Sequence, residues 1–161
     1  MSTAPMAPAW QVSRWFNSEP LTLEALRGNV VLLHAFQLLC PACAMQALPQ
    51  MQRVRHALAH ERLVVVGLHT VFEHHEAQDP ATLAAFVHEY RYDFPVGVDA
   101  HEVSDPLPVT MRRYAMRGTP TLVLIDGEGR VRQQHFGVMD DLLLGASVGQ
   151  LLAELPHAHA D

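Results

Sequence analysis

Short, almost wholly apolar runs along the chain alternate with longer stretches whose apolar residues recur at helical spacing. Residues 30–36, VVLLHAF, have the length and composition of a strand buried on both sheet faces, and residues 63–68, LVVVGL, repeat the pattern. Between them, from Pro41 to about His60, Ala44, Leu48, Met51, Val54 and Leu58 recur at three- and four-residue steps, which predicts a helix with a kink at Pro49. Asp79 and Pro80 read as an N-cap and a first-turn proline, opening a second helix with Leu83, Phe86, Val87 and Tyr90 on one stripe. Residues 94–98 predict a short strand and 106–114 a brief helix. Residues 121–125, the turn Asp126-Gly127-Glu128-Gly129 and residues 131–136 predict an antiparallel hairpin, followed by a last helix over about 140–155. A β-α-β-α order closed by a hairpin and a helix predicts an α/β sandwich around a central mixed sheet with helices on both faces.

Length and composition narrow this picture. The 161 residues, 49% of them apolar and 17% charged, suit a single domain spanning 1–161, with an ordered core over about 10–155. The ends, residues 1–8 and 156–161, are small and polar enough to predict fraying, the His157-Ala158-His159 tail included. All 11 basic residues are arginine, so phosphate-loop hydrolysis, protein-kinase chemistry and pyridoxal chemistry, which need a lysine, are excluded. A net charge of −6 offers no field to attract nucleic acid, and no apolar run approaches the roughly 18 residues of a membrane-inserted helix. The N-terminal stretch has neither a basic nor an apolar signal region, which predicts a cytoplasmic protein, or a periplasmic one if a signal or anchor has been removed.

The two cysteines stand in Cys40-Pro41-Ala42-Cys43. A disulfide closing so small a loop contributes only roughly 2 kcal/mol by chain entropy, a weak reason to keep the pair for stability. Cys40 falls just past the carboxyl end of a predicted parallel strand and at the amino end of the next helix. Ligand sites of open α/β sheets gather at that edge, and free helical N–H groups stabilise a thiolate there. This position predicts a redox pair in which Cys40 attacks and Cys43, one turn on and more buried, resolves the mixed disulfide. The other readings of the motif are half of a zinc site and a pair of inert thiols.

The chain resembles the thioredoxin superfamily, specifically the TlpA/ResA-like branch of bacterial thiol-disulfide oxidoreductases and redoxins. The resemblance rests on LTLEALRGNVVLLHAF, LCPAC, FPVGVD and RGTPTLVLIDGEGRV and covers most of the chain. It implies a thioredoxin-like fold, and it implies that Pro120, preceded by Thr119, is the cis proline facing the cysteines. Three positions depart from the family pattern. Leu39 stands where the family has Trp; Pro49 lies nine rather than eight residues beyond Cys40, implying a one-residue shift in the first turns; and His34 occupies the place of thioredoxin's buried acid. An imidazole titrating near physiological pH could exchange protons with Cys43; the alternative is a hydrogen-bonded core histidine.

Two further features carry candidate chemistry. The segment His69-Thr70-Val71-Phe72-Glu73-His74-His75-Glu76 follows the second buried strand and shares an edge with Cys40, so His69 and Glu73 are candidates for tuning the thiolate or binding a metal; a solvated loop is the plainer reading. Gly145-Ala146-Ser147-Val148-Gly149 matches a hydrolase pattern but falls within a helical stripe, where the required strand-to-helix elbow is absent.

The expected function is therefore thiol-disulfide exchange through Cys40 and Cys43, supported by Pro41, His34, His69, Glu73, Thr119 and Pro120 and requiring no cofactor. Protein thiols and disulfides are the expected partners, with a reductant such as a thioredoxin or glutathione system. A metal-binding module on the two cysteines and the His-rich segment is the alternative from a different class. A thiol peroxidase is a third reading, disfavoured because Gln37 stands where peroxiredoxin-like proteins have Thr.

Overall fold

The computed structural model describes residues 3–157. Six strands form one mixed sheet in the order β1-β4-β3-β2-β5-β6. They are β1 (Val12–Phe16), β2 (Val30–Phe36), β3 (Leu63–His69), β4 (Val96–Asp99), β5 (Thr121–Ile125) and β6 (Val131–Phe136). β2, β3 and β4 run parallel, whereas β1, β5 and β6 add in antiparallel fashion at the two sides. The helices are α1 (Leu48–Ala57), α2 (Pro80–Glu89), α3 (Val109–Arg113) and α4 (Asp141–Glu154).

β2 has every residue buried because helices or loops cover both faces of the sheet at its centre. On one face Val30, Leu32 and Phe36 of β2 pack with Leu48 and Met51 of α1, Leu83 and Val87 of α2, and Leu144, Val148 and Leu151 of α4. On the other face Val31, Leu33 and Ala35 pack with Met111 of α3, Tyr114 and Met116 beyond it, and Leu23 and Leu26 before β2. The two crossovers run in the same direction along the sheet and place α1 and α2 on one side, the arrangement expected of parallel βαβ units. The helical starts follow the sequence: Asp79 accepts from the Thr82 N–H, and Asp140 caps α4 through the Leu142 and Leu143 N–H groups.

The structure corrects the sequence reading in three places. β1 was not expected; it pairs with β4, far away in sequence, from Val12 with Asp99 to Phe16 with Val96. The N-terminal segment is not frayed over residues 5–7, because Ala7 N–H donates to Gly129 O, Val131 N–H donates to Pro5 O, and Met6 bridges to Arg130. Of the C-terminal tail, residues 158–161 lie outside the described residues. The third difference concerns Pro49. A π turn, Cys43–Ala47, precedes α1, with the Leu48 N–H reaching Cys43 O. A proline ring clashes with the carbonyl four residues back and offers no N–H to it, and a wider turn relieves both problems. The expected kink is thus a one-residue expansion, matching the extra residue between Cys40 and Pro49.

Candidate active site

Cys40 and Cys43 lie beyond the carboxyl end of β2, where β3 also ends; the Thr70 N–H donates to Phe36 O and holds the two exits together. Cys40 is half-buried, whereas Cys43 is 0% exposed, and both are free. The Cys43 N–H donates to Cys40 Sγ at 3.3 Å, and Ala44 N–H donates to Cys40 O at 3.0 Å. The Cys40 thiol donates to Thr119 O at 3.5 Å. Burial first, and then the neighbouring Cys40 thiol, push Cys43 up to about 12. The asymmetry is chemical as well as spatial: one sulfur meets solvent and an N–H donor, and the other is held protonated in the core.

Pro41 occupies the first helical turn, where its missing N–H costs nothing. The Thr119-Pro120 bond is cis, as the resemblance implies, and brings Thr119 O to the Cys40 sulfur. Leu39 is 54% exposed and Met45 is 77% exposed, so apolar side chains flank the accessible cysteine along the chain.

His34 is buried on the α1 face of β2, with its Nδ1–H donating to Thr121 O at 3.2 Å in the neutral tautomer. Burial lowers it to about 4. This favours the hydrogen-bonded core histidine over an imidazole titrating near neutrality. His69 is also buried, its ring 5.2 Å from that of Phe36 and its Nε2 without a partner, and burial lowers it to about 4 as well. The rest of the His-rich segment does not join it. Glu73, His74, His75 and Glu76 are exposed in a loop whose His75–Gln78 portion is a single 3₁₀ turn. Among the described residues no three His, Cys, Asp or Glu side chains are placed to hold a metal. The metal-module reading therefore lacks a ligand set, because a strand end sends His69 into the core while the following loop turns its neighbours to solvent. Glu73 contributes a carbonyl, which accepts from Gln78.

Sequence reasoning missed two buried residues of this region. Gln37 and Gln78 bond to each other and to the segments around Cys40. A polar residue directly after a fully buried strand was the available signal for Gln37; nothing local marked Gln78.

The model of the AhpC/TSA family matches residues 4–134. The chain belongs to this family. The thiol-disulfide oxidoreductase ResA of Halalkalibacterium halodurans is 25% identical over 128 residues, 78% of this chain and 64% of ResA. The chain thus spans under two thirds of that relative's length. A crystal structure of a thioredoxin-like superfamily protein superposes with a TM-score of 0.91 at 52% identity, covering 95% of this chain and all of the other. A thiol-disulfide isomerase from Corynebacterium glutamicum superposes with a TM-score of 0.90 at 41% identity, covering 94% of this chain and 98% of its own. The fold of this AhpC/TSA member is thioredoxin-like. Ser147, of the hydrolase-like pattern, lies inside α4.

Proposed function

We propose that the protein is a thiol-disulfide oxidoreductase that reduces disulfides of protein partners through Cys40 and Cys43. The single observation that carries this reading is the division between the two sulfurs: Cys40 is reachable and receives the Cys43 N–H, and Cys43 is enclosed. The names of its relatives support the same chemistry.

In this mechanism the Cys40 thiolate attacks one sulfur of the partner's disulfide. The Cys40–partner S–S bond forms as the partner's bond breaks, and the other partner sulfur leaves as a thiolate. That thiolate is a base able to take a proton directly or through water. Cys43, once deprotonated, attacks Cys40 Sγ, forms the Cys40–Cys43 disulfide and releases the second partner thiolate. Two electrons pass to the partner, which takes up two protons, and a thioredoxin or glutathione system restores the dithiol. Half-buried Thr119 sets its carbonyl against Cys40 just before the buried cis proline Pro120, and Leu39 and Met45 offer apolar contact to a partner. The proposed direction fits a reducing compartment such as the cytoplasm.

The decisive experiment equilibrates the protein in graded thiol buffers and traps free thiols. A two-electron transition near about −270 mV marks a reductant, and one near about −120 mV marks a disulfide donor. No reversible transition would overturn the proposal.

A further inference from the structure

The exchange mechanism uses neither Gln37 nor Gln78, yet both are nearly sealed from solvent, at 1% and 3% exposure. Gln37 follows β2, and Gln78 ends the 3₁₀ turn of the loop between β3 and α2. Gln78 Oε1 accepts from the Leu39 N–H at 3.0 Å, while its Nε2 donates to Glu73 O at 2.9 Å and to Gln37 Oε1 at 3.3 Å. Gln37 Oε1 also accepts from the Phe72 N–H at 3.2 Å, and Gln37 Nε2 donates to Thr119 Oγ1 at 3.4 Å.

The direction of this relay follows from its ends. A backbone N–H can only donate, so Leu39 demands the oxygen of Gln78; Gln78 must then turn its amide nitrogen towards Gln37, and Gln37 must present oxygen there and nitrogen to Thr119. The Phe72 N–H makes the same demand on Gln37 independently. Apolar side chains of similar size could fill the space but would leave the Leu39 and Phe72 N–H groups without these acceptors. The two backbone segments that bracket the Cys40 sulfur, Leu39 before it and Thr119 opposite it, therefore hang from one amide pair anchored in the loop of residues 70–78.

We propose that Gln37 and Gln78 are positioning residues that hold the Cys40 sulfur between the Cys43 N–H and the Thr119 carbonyl, so that the loop of residues 70–78 governs the reactivity of the redox pair. The proposal rests on the oxidoreductase reading for its purpose, but its test does not depend on turnover.

The test compares the wild type with Gln78→Met, Gln37→Met and Gln78→Glu, which keeps an acceptor for Leu39, and with Gln50→Met. Gln50 is a buried glutamine outside the relay, bonded to Met139 O and Asp141. For each, the thermal midpoint, the pH profile of Cys40 alkylation by iodoacetamide and the dithiol-disulfide equilibrium against glutathione are measured. The relay variants are expected to raise the alkylation midpoint by about half a pH unit or more, a threefold fall in reactive thiolate below the midpoint, and to favour the disulfide by a similar factor. Each variant breaks the relay at a different point: Gln78→Met frees the Leu39 N–H, Gln37→Met frees the Phe72 N–H and Thr119 Oγ1, and Gln78→Glu keeps the Leu39 acceptor but removes the donor to Gln37 Oε1 and Glu73 O, so each loosens the contacts that hold the reduced sulfur. Gln50→Met is expected to lower thermal stability without moving either quantity. If Gln78→Met does not fold, Gln37→Met and Gln78→Glu decide. Folded relay variants with the wild-type midpoint and equilibrium, or with shifts no larger than that of Gln50→Met, would overturn the proposal. Alkylation needs no partner, so a wild type that never forms the disulfide sinks the oxidoreductase reading while the alkylation profile still judges the relay.

Discussion

Cys43 donates its backbone N–H to the sulfur of Cys40 across 3.3 Å while keeping its own thiol wholly buried. In the proposed reaction one residue thus serves twice, first as a hydrogen-bond donor to the attacking sulfur and then as the second nucleophile. The two roles are separable by substitution, because the first belongs to the backbone and the second to the side chain.

Cys43→Ser is therefore expected to retain attack by Cys40 and to stop at the mixed disulfide, which accumulates as a covalent adduct visible by mass spectrometry. Cys40→Ser removes the nucleophile and is expected to lower turnover by a factor on the order of 10³ or more. An adduct on Cys43 in the Cys40→Ser protein would reverse these assignments.

Acid is expected to weaken the fold well above the carboxylate range. His34 and His69 are buried and lowered to about 4, against 6.5 for an ordinary imidazole. The unfolded chain takes up their protons first, so their neutral burial is tolerated fully above about pH 6.5, and stability falls as pH drops from there towards 4. Each histidine contributes up to roughly 3 kcal/mol of this loss. Urea unfolding at pH 7.5, 6, 5 and 4 measures it, and a His69→Leu protein should show a shallower slope. Equal stability at pH 7.5 and 4.5 would contradict the buried, neutral assignment.

The same lowering predicts a pH–rate profile for disulfide exchange with no inflection from His34 between about pH 5.5 and 8. His34→Asn keeps a donor in the strand and should leave the shape of the profile unchanged over that range. A step near pH 6.5 that vanishes in His34→Asn would restore the imidazole as a titrating participant.

Asp99 holds together the sheet edge behind the 70–78 loop. Its carboxylate accepts from the Thr110 N–H at 2.8 Å, the Met111 N–H at 2.9 Å and Thr70 Oγ1 at 2.9 Å, and burial pushes its pKa up against the pull of these donors. Asp99→Ala leaves three donors without their acceptor and should cost about 2 kcal/mol or more, read from chemical denaturation. A loss below about 0.5 kcal/mol would mean that water replaces the carboxylate.

The elements most legible in the sequence were those whose burial is complete. β2 and β5 coincide with their apolar runs, and Asp79 marked a true helix start, because such signals are local. β1 escaped notice because Val12–Phe16 is a half-exposed edge strand that exists through its pairing with β4. The cysteine pair was readable from its place after a strand. Gln37 and Gln78 were not, since their meaning comes from contacts 35 to 82 residues distant along the chain. The His-rich segment misled for the opposite reason: neighbours in sequence were parted by the end of a strand, which kept His69 inside and sent Glu73, His74 and His75 outside.

The π turn Cys43–Ala47 takes up, within one turn before α1, the extra residue between Cys40 and Pro49 relative to the spacing the resemblance implies. Cys40 keeps its place at the sheet edge, and Leu48 and Met51 still face the core, because the surplus is absorbed in about one turn. An insertion of this kind need not be repaired elsewhere in the chain. The accessible end of the segment, at the sulfurs, and its buried end are thereby uncoupled in registry.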